Sequence, residues 1–301
     1  MTLANLVNHT GLGMHYVHGF PLDSPLPSAL QLISGSQATP APGGYACLDL
    51  VKEPGTEFGY SGGGFLVLQH LLEARESRPM ADLLKPFLAA SFPATSTDIS
   101  FDQEEIARAE HAIGYRDGGG PVQGGRLQFP PLAAGASGSA EALLAWLSQL
   151  ATAYTEPGGC GPISHATAKA MLSPGPDQGS LRFMAAGAGL GVFVLDTSEG
   201  SRWMLHQAAN DGFRGLYLVC FAGPGAAAGP TGLVILANGD NSAVPLICAV
   251  ARRLLESPNL VATGLDWSRV PAPDTAFSVA GLRQEEIVNL GYKELLLNAF
   301  V

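Results

Sequence analysis

The sequence predicts a mixed α/β fold of the α+β type, with an antiparallel sheet flanked by helices and a mainly helical subdomain before it. Residues 190–237 contain four short apolar or β-rich runs separated by turn residues, as expected for neighbouring strands. A helical pattern at 242–255 follows, and such an order is typical of an antiparallel sheet with a helix on one face. Before residue 185 the apolar residues recur mostly at helical spacing. The predicted strands are 190–195, 202–207, 215–222 and 233–237.

The composition is that of a folded globular protein. Of the 301 residues, 47% are hydrophobic and 14% are charged, and this length is sufficient for a buried core. The net charge of -10 excludes general binding to nucleic acid or to an anionic membrane surface. The first residues lack the features of a secretory signal, and no apolar run could span a membrane, so we expect a cytoplasmic location. The four cysteines show no metal-ligand spacing, and neither a metal nor another cofactor is expected.

Six helices are predicted before the sheet. The first begins near residue 2 and is expected to stop at the glycines Gly11 and Gly13. The others are 28–33, 65–75, 79–90, 139–154 and 164–172. In the helix at 242–255, which follows the sheet, the residues expected to face inward are Val244, Ile247, Val250, Ala251 and Leu254.

These elements divide the chain into three predicted segments. Residues 1–184 form the mainly helical subdomain with long loops, and residues 185–260 form the sheet with its covering helix. Residues 261–301 form a C-terminal tail with one helix, at 283–298.

The stretch 53–73 is the one around which the chain is organised. Pro54 and Gly55 predict a turn, Gly62–Gly64 allow close backbone approach, and helical spacing begins at Phe65. Tyr60 and Ser61 are therefore placed on a bend before a helix N-terminus, where unpaired N–H groups collect. A functional site and a purely structural turn would both have this pattern.

Five segments of the sequence carry a resemblance to a known family. In chain order they are Leu3-Ala-Asn-Leu-Val-Asn-His-Thr-Gly-Leu12, Pro54-Gly55 with Tyr60-Ser61-Gly62-Gly63-Gly64-Phe65, a helix ending Met-Leu-x-Pro at 163–174, His206-Gln-Ala-Ala-Asn-Asp-Gly-Phe-Arg214, and a strand ending Asn-x-Asp-Asn at 233–241. In this order they resemble the serine β-lactamase and penicillin-binding-protein superfamily, in particular its class C-like esterase and transesterase branch. The resemblance covers about residues 2–256 and implies a β-lactamase-like fold.

The resemblance implies the candidate site residues. Tyr60 falls on the tyrosine that takes or relays a proton, and His206 falls where the family has lysine or histidine. Ala209 falls where a backbone N–H contributes to the oxyanion site, Asn210 belongs to the same strand motif, and Gly62 replaces an asparagine of many members. We therefore predict Tyr60, His206 and Ser61 as catalytic residues and Ala209, Asn210 and Gly62 as substrate-binding residues, with Ser61 as a replacement nucleophile.

The chain departs from the family at the nucleophile. None of its four lysines is preceded three residues earlier by serine, so the family's Ser-x-x-Lys motif is absent from this sequence. The resemblance implies that the helix carrying this motif and the first two strands are missing. A sheet edge left open in this way invites pairing, so we expect the C-terminal tail, a second copy or a partner chain to fill the region.

Three functions remain open from the sequence. The first is an enzyme of the esterase and transesterase lineage that acts on a small carbonyl or ester compound, with Tyr60 and His206 as acid and base. For this enzyme the resemblance suggests a place in secondary metabolism. The second is a catalytically inactive binding or assembly module, and the third is a truncated serine hydrolase. Residues 59–63 also match Gly-x-Ser-x-Gly, but that motif requires a buried strand before it, and turn residues stand there instead.

Overall fold

The computed structural model describes residues 1–13, 17–36, 38–45, 47–48, 50, 53–91, 99–174, 182–183, 186–255 and 257. The described residues divide into two compact units, the first within 1–112 and 122–142, the second within 113–121 and 143–257. This division groups 143–184 with the sheet, whereas the sequence placed the boundary at 184. The predicted tail, 261–301, lies outside the described residues.

The first unit is built mainly from helices. They are α1 (Leu3–Val7), α2 (Ala29–Ile33), α3 (Gly62–Glu76), α4 (Met80–Ser91), α5 (Gln103–Arg108) and α6 (Pro131–Ala134). α3 packs against α1, α2 and α6, and a buried cluster that includes Val17, Phe20, Leu32, Tyr45 and Leu66 forms the core. Two short strands, β1 (Ile99–Ser100) and β2 (Ser137–Gly138), pair antiparallel.

The second unit contains an antiparallel sheet. Its strands are β3 (Arg182–Phe183), β4 (Ala186–Ala188), β5 (Phe193–Asp196), β6 (Arg202–Asn210), β7 (Phe213–Ala222) and β8 (Thr231–Ala237). They lie in the order β3-β4-β5-β6-β7-β8, and the long central pair joins β6 to β7, with His206 opposite Tyr217 and Ala209 opposite Arg214. The helices are α7 (Ala140–Thr155), whose first three residues belong to the first unit, α8 (His165–Met171) and α9 (Ala243–Leu255).

Helices cover both faces of this sheet. Met204 and Val219 belong to a buried cluster with Leu147 and Leu150 of α7. Leu205 and Leu218, which point to the opposite face because side chains alternate along a strand, are also buried, and α9 packs against β7 and β8. The predicted antiparallel sheet flanked by helices is confirmed, and the short strands β3 and β4 add to the four strands that the sequence predicted.

The helix predictions are largely confirmed, and serine caps explain why. Ser28 accepts a hydrogen bond from the Gln31 N–H in front of α2, and Ser164 accepts one from the Thr167 N–H in front of α8. Ser139 accepts one from the Ala142 N–H at the start of α7. Each cap satisfies a donor that the helix itself leaves unpaired.

Two predicted helix boundaries are wrong. α1 ends before Gly11, because His9 takes the left-handed conformation with φ 60. α3 begins at Gly62 and not at Phe65, so the glycines form its first turn. A Cβ on Gly64 would lie 2.9 Å from the carbonyl oxygen of Leu6, and glycine is therefore required where α3 crosses α1.

α9 buries fewer of its apolar side chains than its sequence predicted. Val244, Ile247 and Ala251 are buried as predicted, but Val250 is 37% exposed and Leu254 is 44% exposed. Packing against two strands covers one side of the helix, and these two side chains fall outside the contact. Among the described residues, no helix is long and apolar enough to cross a membrane.

Candidate functional site

Ser61 closes the turn in front of α3. Its Oγ accepts a hydrogen bond from the N–H of Gly64 at 3.2 Å, and the residue is 1% exposed. This is the geometry of an N-cap, which satisfies one of the first unpaired donors of the helix. The hydroxyl predicted as a replacement nucleophile thus has a structural role, and Gly62 beside it is the first residue of α3.

His9 lies against this turn and contacts three successive residues of it. Its carbonyl oxygen accepts from the N–H of Gly59 at 2.8 Å, and its Nδ1 accepts from the N–H of Ser61 at 3.1 Å. Its ring stacks on Tyr60, with centroids 4.2 Å apart and planes inclined by 27°. These contacts give Tyr60 a partner that the sequence did not indicate.

The Tyr60 phenol is protonated over the whole physiological range. Burial raises the pKa of Tyr60 to about 12, because removing water from the site disfavours the phenolate. A phenol in this state donates a hydrogen bond or a proton, and it does not serve as a ready-made base at neutral pH.

His206 lies on β6, on the sheet face that α7 and α8 cover. Its ring is half-buried, with its centroid 5.2 Å from that of Phe193 and 6.2 Å from that of Tyr217. Nδ1 donates to the carbonyl oxygen of Gln207, so in the neutral ring Nε2 carries the lone pair. Burial lowers the pKa of His206, although the hydrogen bond to Gln207 opposes that shift. The imidazole is therefore held in the form that accepts a proton.

Ala209 and Asn210 end strand β6, just before a two-residue turn. Asn210 lies opposite Phe213, and both candidate substrate-binding residues are half-buried. Gly212 has φ 77, a value that favours glycine, and its N–H donates to Oδ1 of Asp240 at 2.7 Å. The turn is therefore held from the β8–α9 connection.

A buried charge network that the sequence did not indicate supports this turn. The side chain of Arg214 has no exposed surface, and its Nη1 lies 3.2 Å from Oδ1 of Asp240. The same Nη1 donates to the carbonyl oxygens of Asn210 and Phe213, and Nη2 donates to Oδ1 of Asn241 at 2.9 Å. A buried guanidinium is stable only with such partners.

The loop 113–121 joins the same network. Oδ1 of Asp117 accepts from the N–H of Ser242 at the start of α9, and Oδ2 accepts from Nδ2 of Asn241. Arg116 pairs with Asp211 in the β6–β7 turn, with Nη1 and Oδ1 at 2.6 Å. Among the acidic, histidine and cysteine side chains that the structure describes, no group of three could hold a metal ion.

The candidate residues therefore form two sets. Tyr60, Ser61 and Gly62 belong to the first unit, and His206, Ala209 and Asn210 belong to the second. Within each set the residues are neighbours, as their motifs predicted. Their roles in substrate binding and catalysis remain predictions.

Comparison with known families agrees with the fold described above. The model of the family described as Beta-lactamase matches residues 1–255. The chain belongs to the β-lactamase family. A search of curated protein sequences found no match.

Solved structures support the same fold for this β-lactamase family member. D-amino acid amidase from Ochrobactrum anthropi SV3 is 17% identical with a TM-score of 0.55, and the match covers 80% of this chain and 66% of the amidase. The octameric penicillin-binding protein homologue from Pyrococcus abyssi is 18% identical with a TM-score of 0.52, covering 79% and 52%. D-stereospecific amidohydrolase from Streptomyces sp. is 15% identical with a TM-score of 0.51, covering 79% and 68%. This chain thus spans less than two thirds of the first two of these structures, and identities this low show the fold alone.

The lowered pKa of His206 predicts a loss of stability in mild acid. In the unfolded chain the histidine takes up a proton near its ordinary pKa of 6.5, whereas the folded chain takes it up only at lower pH. Stability conferred by His206 is therefore complete above pH 6.5 and decreases as pH falls through the folded pKa. Urea unfolding of the wild type and of His206→Gln between about pH 4.5 and 7.5 measures this, since the variant should show a shallower decrease. His18→Gln controls for loss of an exposed histidine, and parallel curves for wild type and His206→Gln would refute the prediction.

Proposed function

We propose that this β-lactamase family member is an enzyme of the esterase and transesterase lineage that acts on a small carbonyl or ester compound. Tyr60 serves as the acid and His206 as the base, and no acyl-serine forms. One observation carries the proposal: Nδ1 of His206 donates to the carbonyl oxygen of Gln207, so Nε2 is the nitrogen that accepts a proton. Burial disfavours the charged form of both side chains, so near pH 7 Tyr60 keeps the proton that an acid donates and His206 keeps the lone pair that a base needs.

The two side chains have complementary parts in ester hydrolysis. Nε2 of His206 takes a proton from water while the water oxygen bonds to the carbonyl carbon, and the carbonyl electron pair moves to the oxygen. When that pair returns, the bond to the leaving alkoxide breaks and the Tyr60 hydroxyl protonates the alkoxide. Proton transfer from the His206 imidazolium through solvent then restores the phenol. An alcohol in place of water gives transesterification by the same steps.

In this proposal the backbone near Ala209 and Asn210 binds the carbonyl oxygen of the substrate. The backbone at Gly62 contacts the rest of the substrate. Backbone N–H groups at a developing oxyanion are a large source of rate enhancement. The names of two matched structures, an amidase and an amidohydrolase, support acyl chemistry on this fold. We place the reaction in the cytoplasm and in secondary metabolism.

The second candidate is a protein of the same family without catalysis, acting in binding or assembly. The burial of Ser61 as an N-cap and the lack of a Ser-x-x-Lys motif in the 301 residues favour it. The octameric state of the Pyrococcus abyssi homologue supports association of this chain with further copies. The third candidate is a serine hydrolase whose nucleophile is supplied by another segment or a partner chain.

The leading proposal is tested with a panel of short p-nitrophenyl esters and a fluorophosphonate probe. We expect ester turnover without labelling of Ser61, because its hydroxyl is buried and accepts a hydrogen bond. Turnover should rise as pH increases through the folded pKa of His206, below 6.5, because the base must be neutral. It should decline only towards about pH 12, where the Tyr60 acid would ionise. Labelling of Ser61 would indicate covalent catalysis, and no turnover with tight ligand binding would support the binding module.

A further inference from the structure

The contacts of His9 surround a single residue of the turn. Its carbonyl oxygen accepts a hydrogen bond from the N–H of Gly59, and its Nδ1 accepts one from the N–H of Ser61. Its ring stacks on the ring of Tyr60, which lies between these two residues. We propose that His9 is a positioning residue for Tyr60, and that it fixes both the backbone and the ring of the acid. The catalytic half of this inference rests on the proposed function, whereas the positioning half does not.

The backbone conformation of His9 indicates that these contacts fix its position. In the described part of the chain, His9 and Ser77 are the non-glycine residues with positive φ, and His9 has φ 60. A residue with a Cβ carries a conformational cost in the left-handed region, so such a conformation persists where surrounding contacts determine it. His9 is also 5% exposed, although it follows a short surface helix.

The hydrogen bond to Ser61 determines the state of the imidazole. A backbone N–H can only donate, so Nδ1 of His9 must be the acceptor and carries no proton. This requirement explains histidine in preference to lysine or arginine, which have no acceptor. It also explains why a phenylalanine, which preserves the stack alone, would not replace it.

Three further contacts extend this attachment along the turn and into α3. The N–H of Gly55 donates to the carbonyl oxygen of Thr10 at 2.9 Å, next to His9. The rings of Phe58 and Phe65 lie with centroids 5.9 Å and 5.6 Å from that of His9. The segment before α3 is therefore held on the end of α1, and the position of the Tyr60 ring follows from His9.

Two substitutions at His9 separate the contribution of the stacked ring from those of the Nδ1 acceptor and the backbone conformation. His9→Asn keeps an acceptor near the position of Nδ1 and tolerates positive φ, while it removes the stacked ring. His9→Gly relieves the backbone conformation and removes both the acceptor and the ring. Ile106→Ala, in α5 of the same unit, is the control for general loss of core packing, since Ile106 is 4% exposed.

The positioning is measured by ¹⁹F NMR of the full chain labelled with 3-fluorotyrosine, with Tyr60→Phe assigning the Tyr60 resonance. We expect a single resonance shifted by the stacked imidazole in the wild type. In His9→Gly it should broaden and move towards the value of free fluorotyrosine, in His9→Asn it should move part of the way, and in Ile106→Ala it should stay. An unchanged resonance in His9→Gly, or an equal displacement in Ile106→Ala, overturns the inference.

Ester turnover of the same variants separates this inference from the proposed function. His9→Gly should lower kcat by about 100-fold, the effect expected when a reacting group is displaced by about 1 Å, and His9→Asn should recover part of it. A displaced resonance together with unchanged turnover keeps the positioning role and rejects Tyr60 as the acid. An unchanged resonance, with turnover that still depends on Tyr60, rejects positioning and leaves the proposed function standing.

Discussion

Asp240→Ala is expected to lower the free energy of unfolding by about 3 to 5 kcal/mol, the range for removing one member of a buried ion pair. The variant leaves Arg214 with no exposed side-chain surface and without its carboxylate. It also leaves the N–H of Gly212 without the acceptor that holds the β6–β7 turn. Both losses act in the same direction, because the first leaves a buried charge without its counter-charge and the second leaves a buried N–H without an acceptor.

Chemical denaturation followed by circular dichroism measures this effect, with the more exposed pair Arg116–Asp211 as the internal comparison. Arg116 is 48% exposed at its side chain, and Arg116→Ala should cost only about 0 to 1 kcal/mol, as exposed ion pairs do. A loss below about 1 kcal/mol for Asp240→Ala would show that the interior around Arg214 admits water or rearranges.

The sequence predicted those helices whose ends are determined locally. Ser28, Ser139 and Ser164 each cap a helix, and the three helices that follow them begin where expected. A cap is a contact between residues two or three positions apart, so it can be recognised from sequence alone.

Boundaries set by contacts between distant segments were not predicted. Gly62–Gly64 suggested a loop because glycine disfavours helices, yet they form the first turn of α3 where its backbone meets Leu6. The strand β3 has two residues and β4 has three, too few for a period of two to be recognised. The exposure of Val250 and Leu254 likewise depends on how closely α9 approaches β7 and β8.

For the candidate site, too, the residues were predicted, but their contacts with other segments of the chain were not. Tyr60 and His206 were predicted by resemblance to family motifs, whereas their environments come from residues remote in sequence, His9 for Tyr60 and Tyr217 for His206. Arg214 lies at the start of an apolar run, but nothing in the sequence indicated that its side chain is buried. Its partner Asp240 could not be deduced, because their contact depends on the pairing of β7 with β8.

Tyr60→Phe and His206→Gln are each expected to lower kcat by about 100- to 10,000-fold, the usual contribution of a general acid or base. Tyr60→Phe removes the hydroxyl that donates the proton, yet it keeps the ring that stacks on His9. His206→Gln keeps a polar side chain on β6 and removes the imidazole base. Because the changes are small in volume, the Tm of each variant should stay close to that of the wild type.

Matched substitutions elsewhere show whether the effect belongs to these positions. Tyr115→Phe changes a tyrosine that is 40% exposed, and His18→Gln changes an exposed histidine, so both should retain full turnover of the same esters. The double variant of Tyr60 and His206 then tests whether the two act in one reaction. Groups that act together lose much less in the double variant than the product of the single losses. Losses that multiply, or a fall in Tm that parallels the fall in kcat, would instead assign the two rings to separate structural roles.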